Sequence, residues 1–328
     1  MRYKRRSDLD YLKAILNAGS FNAAAQKLFI SQPAISQYVG RIEKENGIKI
    51  FNRESEPIQL TEEGAYFLKV EEQIEALRAN REKYFQDFQK VTTGKIRIGS
   101  NPCRTATLLA EVVPIYLRRY PQVELEIVDA PIQTAGARLK SGEVDFVLTL
   151  EAFLKKDMAY TTILDENVCV AIPHDHPRAE ELREYIRING ELPDYDFRWA
   201  EGERFVLLNR GVKFHDYFED LCRKYNVQPK VILQTESIVT VLEFVREDVA
   251  CGFVPDSMVK SSDTRRGPVF CSLKKELPVN RVAAAWNKNF YLSSAARKFI
   301  ALLREHYRDL NSAYSEGEFE KNSDRKFL

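Results

Sequence analysis

Apolar residues near the start of the chain recur at helical spacing in three short blocks. Leu9, Leu12, Ile15 and Leu16 form one stripe, Phe21, Ala24, Ala25 and Leu28 a second, and Ile35, Val39 and Ile42 a third. Gly19-Ser20 breaks and recaps the chain between the first two, and the alanines at 23–25 permit close helix contact. The third helix begins in Ser31-Gln32-Pro33-Ala34-Ile35-Ser36, where Ser31 is a natural N-cap and Pro33 is tolerated in the first turn. After Asn46-Gly47, Ile48-Lys49-Ile50-Phe51 and Ile58-Gln59-Leu60 read as two short strands around Glu54-Ser55-Glu56-Pro57, a β-hairpin wing.

Thr61 caps a helix expected to run from Glu62 to about Lys90, with Glu62 and Glu63 favourable in its first turn. Phe67, Val70, Ile74, Leu77, Tyr84 and Phe88 alternate at three- and four-residue spacing, with Arg81 as the charged exception. That is a coiled-coil seam. A spacer helix packed on its own domain is the plainer alternative.

Past a hinge-like Thr92-Thr93-Gly94 the pattern changes to alternating strands and helices. Residues 95–99, 123–128 and 144–148 read as strands separated by helices, which implies a mostly parallel sheet with covered faces. Residues 169–173 lead into a second lobe with strands at 205–208, 231–233 and 252–255, and residues 281–306 look like a return to the first. Residues 179–204 form a long polar connection, and residues 311–328 read as a charged, disordered tail.

With 328 residues the chain exceeds one typical domain, and its formal charge is only +1. The charge is unevenly placed. Residues 1–53 carry ten Lys/Arg against four Asp/Glu, a net +6, which leaves about −5 for the remainder. A basic module on a slightly acidic body suits phosphate contacts at one end only. Five cysteines without a Cys-x-x-Cys spacing argue against a disulfide scaffold or a structural zinc site. No apolar run follows Met1-Arg2-Tyr3-Lys4-Arg5-Arg6, and none approaches the ~20 residues of a membrane helix, so a cytoplasmic protein is expected.

Ser31, Gln32, Pro33, Ser36, Gln37 and Arg41 surround the exposed start of the third helix, a set of hydroxyls, amides and a guanidinium suited to the DNA major groove; Arg53 in the wing would hold backbone phosphate. The rival is a small helical cap packed on a larger enzyme. The run Gly19-Ser20-Phe21, Ala24-Ala25, Leu28, Ser31 to Ser36, Arg41-Ile42-Glu43, Gly47, Phe51, Arg53, Leu60-Thr61 and Gly64 resembles the DNA-binding domain of LysR-type transcriptional regulators. The order of later elements is similar to that family's effector domain, so the resemblance covers nearly the whole chain. It departs at Gln37-Tyr38, where the family often has a basic residue or glutamine followed by an amide, and base preference there cannot be carried over.

The resemblance implies a winged helix-turn-helix over residues 1–61, a linker helix over 62–91 that dimerises through Phe67, Val70, Ile74, Leu77, Tyr84 and Phe88, and a two-lobed, periplasmic-binding-protein-like α/β effector domain over 92–310. Its first lobe would take about 94–170 and 276–310, its second about 171–275. Implied partners are an operator duplex, a small-molecule effector, further copies of the chain as homodimer or homotetramer, and RNA polymerase; membranes are not among them. No cofactor and no metal are expected. An effector favouring one lobe arrangement would reset the DNA-binding pairs.

Ligands of open α/β sheets sit at strand carboxyl ends facing helix N-termini. Ser100, Asn101, Cys103, Arg104 and Thr105 occupy that place in the first lobe, with Thr149 after a second strand; Asn209, Arg210 and Thr235 do so in the second lobe. Arginines and hydroxyls point to a small anionic effector. The plainer readings are that Ser100 and Ser237 only cap helices and that Arg104 pairs with Glu111 or faces solvent. Cys103 would also allow a redox-sensing regulator of the same architecture. His174-Asp175-His176-Pro177 is read as a turn rather than a metal site. An enzyme is the rival from another class, but four histidines without a glycine-rich phosphate loop or nucleophile elbow offer no catalytic constellation. A stand-alone solute-binding protein is the third reading, opposed by the wing and the seam.

Overall fold

Ser7 caps the first helix: its hydroxyl accepts the Asp10 N–H at 3.3 Å and the Asp10 carboxylate receives the Ser7 N–H at 2.8 Å. A computed structural model describes residues 7–87, 94–129, 134–261 and 267–315. The chain divides into two compact units; residues 137–144 cluster with the N-terminal one.

The first unit holds α1 (Asp8–Ala18), α2 (Phe21–Leu28) and α3 (Gln32–Asn46), then a hairpin of β1 (Phe51–Asn52) and β2 (Gln59–Leu60), then α4 (Glu62–Asp87). The three expected stripes meet in one core: Leu12, Ile15, Ala24, Ala25, Ile35, Val39 and Ile42 are buried together with Ile50 and Phe51. Gly19 ends α1 at φ +72°, a left-handed position that suits glycine, and Ser20 caps α2 by accepting the Ala23 N–H. The wing is antiparallel, Phe51 opposite Leu60 and Asn52 opposite Gln59. Thr61 ties it to α4: its N–H donates to Ile50 O at 3.0 Å and its hydroxyl accepts the Gly64 N–H at 2.9 Å. Gly64 sits so close that a Cβ there would lie 2.0 Å from Ile50 O.

The second unit contains two five-stranded sheets. The first has the order β4-β3-β5-β12-β6, from β3 (Gly94–Ser100), β4 (Val123–Asp129), β5 (Phe146–Leu150), β6 (Met158–Glu166) and, from the far end of the chain, β12 (Asn280–Asn287). The second has the order β11-β7-β10-β8-β9, from β7 (Val168–Ile172), β8 (Arg204–Leu208), β9 (Lys230–Thr235), β10 (Cys251–Pro255) and β11 (Val269–Ser272). Helices α5 (Pro102–Arg104), α6 (Ala110–Arg119) and α7 (Ala135–Lys140) follow strands of the first lobe. Helices α8 (Ala179–Asn189), α9 (Lys213–Tyr225) and α10 (Ile238–Arg246) belong to the second, and α11 (Ser294–Ser315) closes the order.

The two-lobed α/β expectation holds, but the sheets are mixed rather than mostly parallel. β3, β4 and β5 are parallel, whereas β12 runs antiparallel to both β5 and β6; in the second sheet β7 is antiparallel to β10 and β11. The chain passes from sheet to sheet directly between strands, from β6 through Asn167 into β7 and from β11 back to β12, with no helical crossover to keep directions alike. β7 therefore starts a few residues before the expected lobe boundary at 170–171. Its residues alternate between cores: Val168, Val170 and Ile172 face one, Cys169 and Ala171 the other.

Residues 179–204 have a structural job. α8 and a 3-10 turn at Phe197–Ala200 lay Leu182, Tyr195, Phe197 and Ala200 into the second lobe's core, with Phe197 5.9–6.2 Å from the rings of Tyr195, Phe218, Tyr225 and Phe253. The last helix runs to Ser315, five residues into the segment 311–328 expected to be disordered; the rest of that segment lies outside the described residues, as do Thr92, Thr93 and the end of the linker helix.

Candidate functional site

The start of α3 is built as the stripe requires. Burying Ile35, Val39 and Ile42 turns Gln32, Pro33, Gln37 and Arg41 outward, leaves Ser36 half-buried, and lets the exposed Ser31 hydroxyl accept the Ala34 N–H at 3.3 Å. Six of the seven expected DNA-contacting residues thus share one surface. Arg41 pairs with Glu45 at 3.1 Å and lies 5.0 Å from the centre of the Tyr38 ring.

Tyr38, the departure from the family pattern, is turned inward. Its hydroxyl donates to Asp8 at 2.6 Å and its ring lies 4.2 Å from that of Tyr11, so it ties α3 to α1. Burial, with the Asp8 carboxylate beside it, pushes the phenol up to about 12. The seventh residue, Arg53, is exposed in the wing, where it pairs with the buried Glu43 at 3.2 Å and lies 5.2 Å from the Phe21 ring. Glu43 also accepts the Ile50 N–H at 2.8 Å and so fixes wing to helix. Reading the sequence by surface chemistry missed Glu43; its signal was an acid directly after the buried Ile42.

On α4 the expected seam divides. Phe67 packs on the helix-turn-helix core with Leu68, Val70 and Ile74 are half-buried, and Leu77 and Tyr84 are exposed; Phe88 lies outside the described residues. A 2.8 Å ion pair between Lys13 and Glu72 fastens the helix to α1. The apolar spacing could not say which seam residues meet a core and which another helix.

In the first lobe β3 and β5 run parallel with Gly99 opposite Val147, so Ser100 and Thr149 lie at the same carboxyl edge. Both are buried. Asn101 caps the helix that follows, accepting the Arg104 N–H at 2.8 Å. Residues Thr105–Leu109 form a π turn, whose Thr107 and Leu108 carbonyls accept the Tyr307 hydroxyl at 3.3 and 3.0 Å. Arg104 does not pair with Glu111. Its Nη2 donates to Glu166, the last residue of β6, at 3.2 Å, and the other Glu166 oxygen accepts from Ser257 at 3.0 Å. Nε and Nη1 of Arg104 and the hydroxyls of Thr105 and Thr149 are buried with no hydrogen-bond partner among the described residues.

Cys103 is packed among second-lobe side chains, including Val241 and Leu242, and burial pushes its thiol up to about 12. In the second lobe the Asn209 N–H donates to the Thr235 carbonyl at 2.9 Å, which brings two expected residues together. Arg210 is different: its side chain is 81% exposed and leans toward Glu219 at 3.6 Å. Ser237 caps α10, as its plainer reading had it.

His176 does join a group of ligand-type atoms, with Glu203 and Cys251 within 4.8 Å of one another. Its Nδ1 accepts the Arg178 N–H at 3.1 Å, which leaves the ring proton on Nε2, directed to Glu203 at 3.4 Å. That proton occupies the nitrogen a metal would need. No helix among the described residues is long and apolar enough to cross a membrane.

Residues 7–65 match the family profile described as bacterial regulatory helix-turn-helix protein, lysR family, and residues 89–308 match the LysR substrate binding domain. The HTH-type transcriptional regulators YybE and YcgK of Bacillus subtilis (strain 168) are 25% and 26% identical, over 92% and 94% of this chain and 98% and 96% of theirs. Full-length CbnR complexed with its target DNA superposes with a TM-score of 0.65 at 18% identity, covering 90% of this chain and 98% of that one. An OxyR C206 mutant of Corynebacterium glutamicum gives 0.54 at 21% identity, covering 96% and 97%. At these identities the two structures speak to the fold alone.

Proposed function

This chain belongs to the LysR family of DNA-binding transcriptional regulators, with an effector-binding domain behind its helix-turn-helix, and from that premise we propose that a small anionic effector controls it from the cleft edge of the first lobe. The observation that carries this reading is the set of unpartnered buried polar atoms at Arg104, Thr105 and Thr149. Leaving such groups unpaired costs about 1–3 kcal/mol each, so a carboxylate able to accept from them is strongly favoured over an apolar guest. Five of the six atoms of this kind among the described residues belong to Arg104, Thr105, Thr149 and Asn280, the last lying opposite Glu166 in the β12–β6 register.

On the DNA side, Gln32, Pro33, Ser36, Gln37 and Arg41 meet base edges and adjacent phosphates, with Ser31 setting the helix start. Arg53 acts chiefly by holding the wing on Glu43. Residues 62–91 pair two copies through Leu77 and Tyr84, giving two recognition helices for two half-sites. The redox alternative at Cys103 runs against its burial, which keeps the thiol protonated.

The test is a thermal-shift screen of the full chain against a panel of small carboxylates, repeated with Thr149→Val. Replacing an unpartnered hydroxyl by a methyl of the same shape should raise the melting temperature of the ligand-free protein while weakening the hit about tenfold. A hit that binds Thr149→Val and wild type equally would place the effector elsewhere.

A further inference from the structure

The turn between α2 and α3 carries an aromatic ring that the fold leaves in solvent. Phe29 is 93% exposed, more than any other large apolar side chain among the described residues. It also stands at φ 56°, in the left-handed region where Cβ crowds the following carbonyl oxygen. Other helices of this chain that end in that conformation do so at residues suited to it, namely Gly19, Gly47, Gly190 and Asn226. Asp248, at φ 55°, has a use for its side chain: the carboxylate accepts the His174 and Asp175 N–H groups at 2.6 and 3.3 Å. Among the described residues only Phe29 holds a bulky apolar side chain there.

We propose that Phe29 is a specificity-determining residue of the DNA interface and sets its ring against the C5 methyl of a thymine, on the reading that α3 enters the major groove. Phe29 lies two residues before Ser31, the cap of α3, and Ser31, Gln32 and Pro33 are exposed beside it. The N-terminal end of a recognition helix is the part that reaches base edges. A phenyl ring has no charge for a phosphate and no donor or acceptor for a base. The thymine methyl is the apolar mark that the major groove offers, and phenylalanine is among the side chains that meet it. Gln32, Ser36, Gln37 and Arg41 read donors and acceptors, so this contact adds a feature they do not supply. Glycine or asparagine would relax the turn; a bulky ring kept in a strained backbone position marks a functional demand.

The test selects duplexes from a randomised library with the full chain and with full-length Phe29→Asn. Wild type should enrich thymine at one position that the variant leaves unconstrained. Deoxyuridine at that position removes a single methyl and should weaken wild type about fourfold, the worth of one buried methyl group, while Phe29→Asn binds both duplexes alike. The variant should keep the wild-type slope of log K against log salt, because the ring meets no phosphate. Arg41→Ala, with Phe29 intact, should lose affinity and keep the deoxyuridine penalty. Full affinity in Arg41→Ala would show that α3 is not the reading helix, and the role of Phe29 would fall with it. With Arg41→Ala weakened as expected, a deoxyuridine penalty absent from wild type, or equal in wild type and Phe29→Asn, would overturn the role of Phe29 alone.

Discussion

Arg104 and Glu166 form a 3.2 Å ion pair with both side chains almost wholly buried, joining the helix start after β3 to the end of β6. Removing one partner strands the other's charge away from water. Glu166→Ala should therefore cost about 3–5 kcal/mol in denaturant unfolding, whereas Arg104→Met combined with Glu166→Gln should cost far less than the sum of the two single changes. Strictly additive losses would show that the pair is not coupled.

Gly64→Ala should destabilise the winged helix by about 1–3 kcal/mol, because its methyl would meet the Ile50 carbonyl that Thr61 already engages. Far-UV circular dichroism on heating reads the loss. An unchanged melting curve would mean that α4 and the wing are looser than this contact requires.

Tyr38→Phe keeps the ring on Tyr11 and deletes the bond to Asp8, for a loss of about 1 kcal/mol. The folded phenol titrates near 12 against 10.0 for an ordinary one, so its contribution is complete below pH 10 and fades as pH rises toward 12. Wild type should lose more stability than Tyr38→Phe across that window. Parallel pH profiles would contradict the inward placement of Tyr38.

Phe29, 93% exposed, closes α2 at φ 56°, a left-handed position awkward for a bulky side chain. Phe29→Asn should raise stability by about 1 kcal/mol, since asparagine visits that region readily. A lower denaturation midpoint would show that the exposed ring makes contacts of its own.

Four of the five cysteines are buried, and Cys222 is half-buried. With native protein near neutral pH, an aromatic disulfide reagent should modify Cys222 first and leave Cys103 until unfolding. Rapid native modification of Cys103 would reopen the redox reading.

The recognition helix was legible because its determinants are local: a cap at Ser31, a stripe at 35, 39 and 42, and polar residues left over. The wing and the two lobes followed for the same reason. Less visible were features made by distant partners. Arg104 meets Glu166 across 62 positions, and Arg53 pairs with a buried glutamate on another element. The strand Met158–Glu166 escaped notice because its alternation is blurred by paired threonines and its apolar residues serve one face unevenly. Without it the antiparallel half of the first sheet could not be seen. Phe67 shows the same limit, since helical spacing records that a residue is covered but not by what.

The central claim is that the face around Arg41 reads DNA, and salt-dependent binding tests it most directly. A duplex selected from a randomised library by the full chain would be titrated with wild type and with Arg41→Ala at several salt concentrations. The predicted result is an affinity loss of about tenfold or more, with the slope of log K against log salt reduced by up to about one if the guanidinium also meets a phosphate. Unchanged affinity and unchanged slope would contradict it.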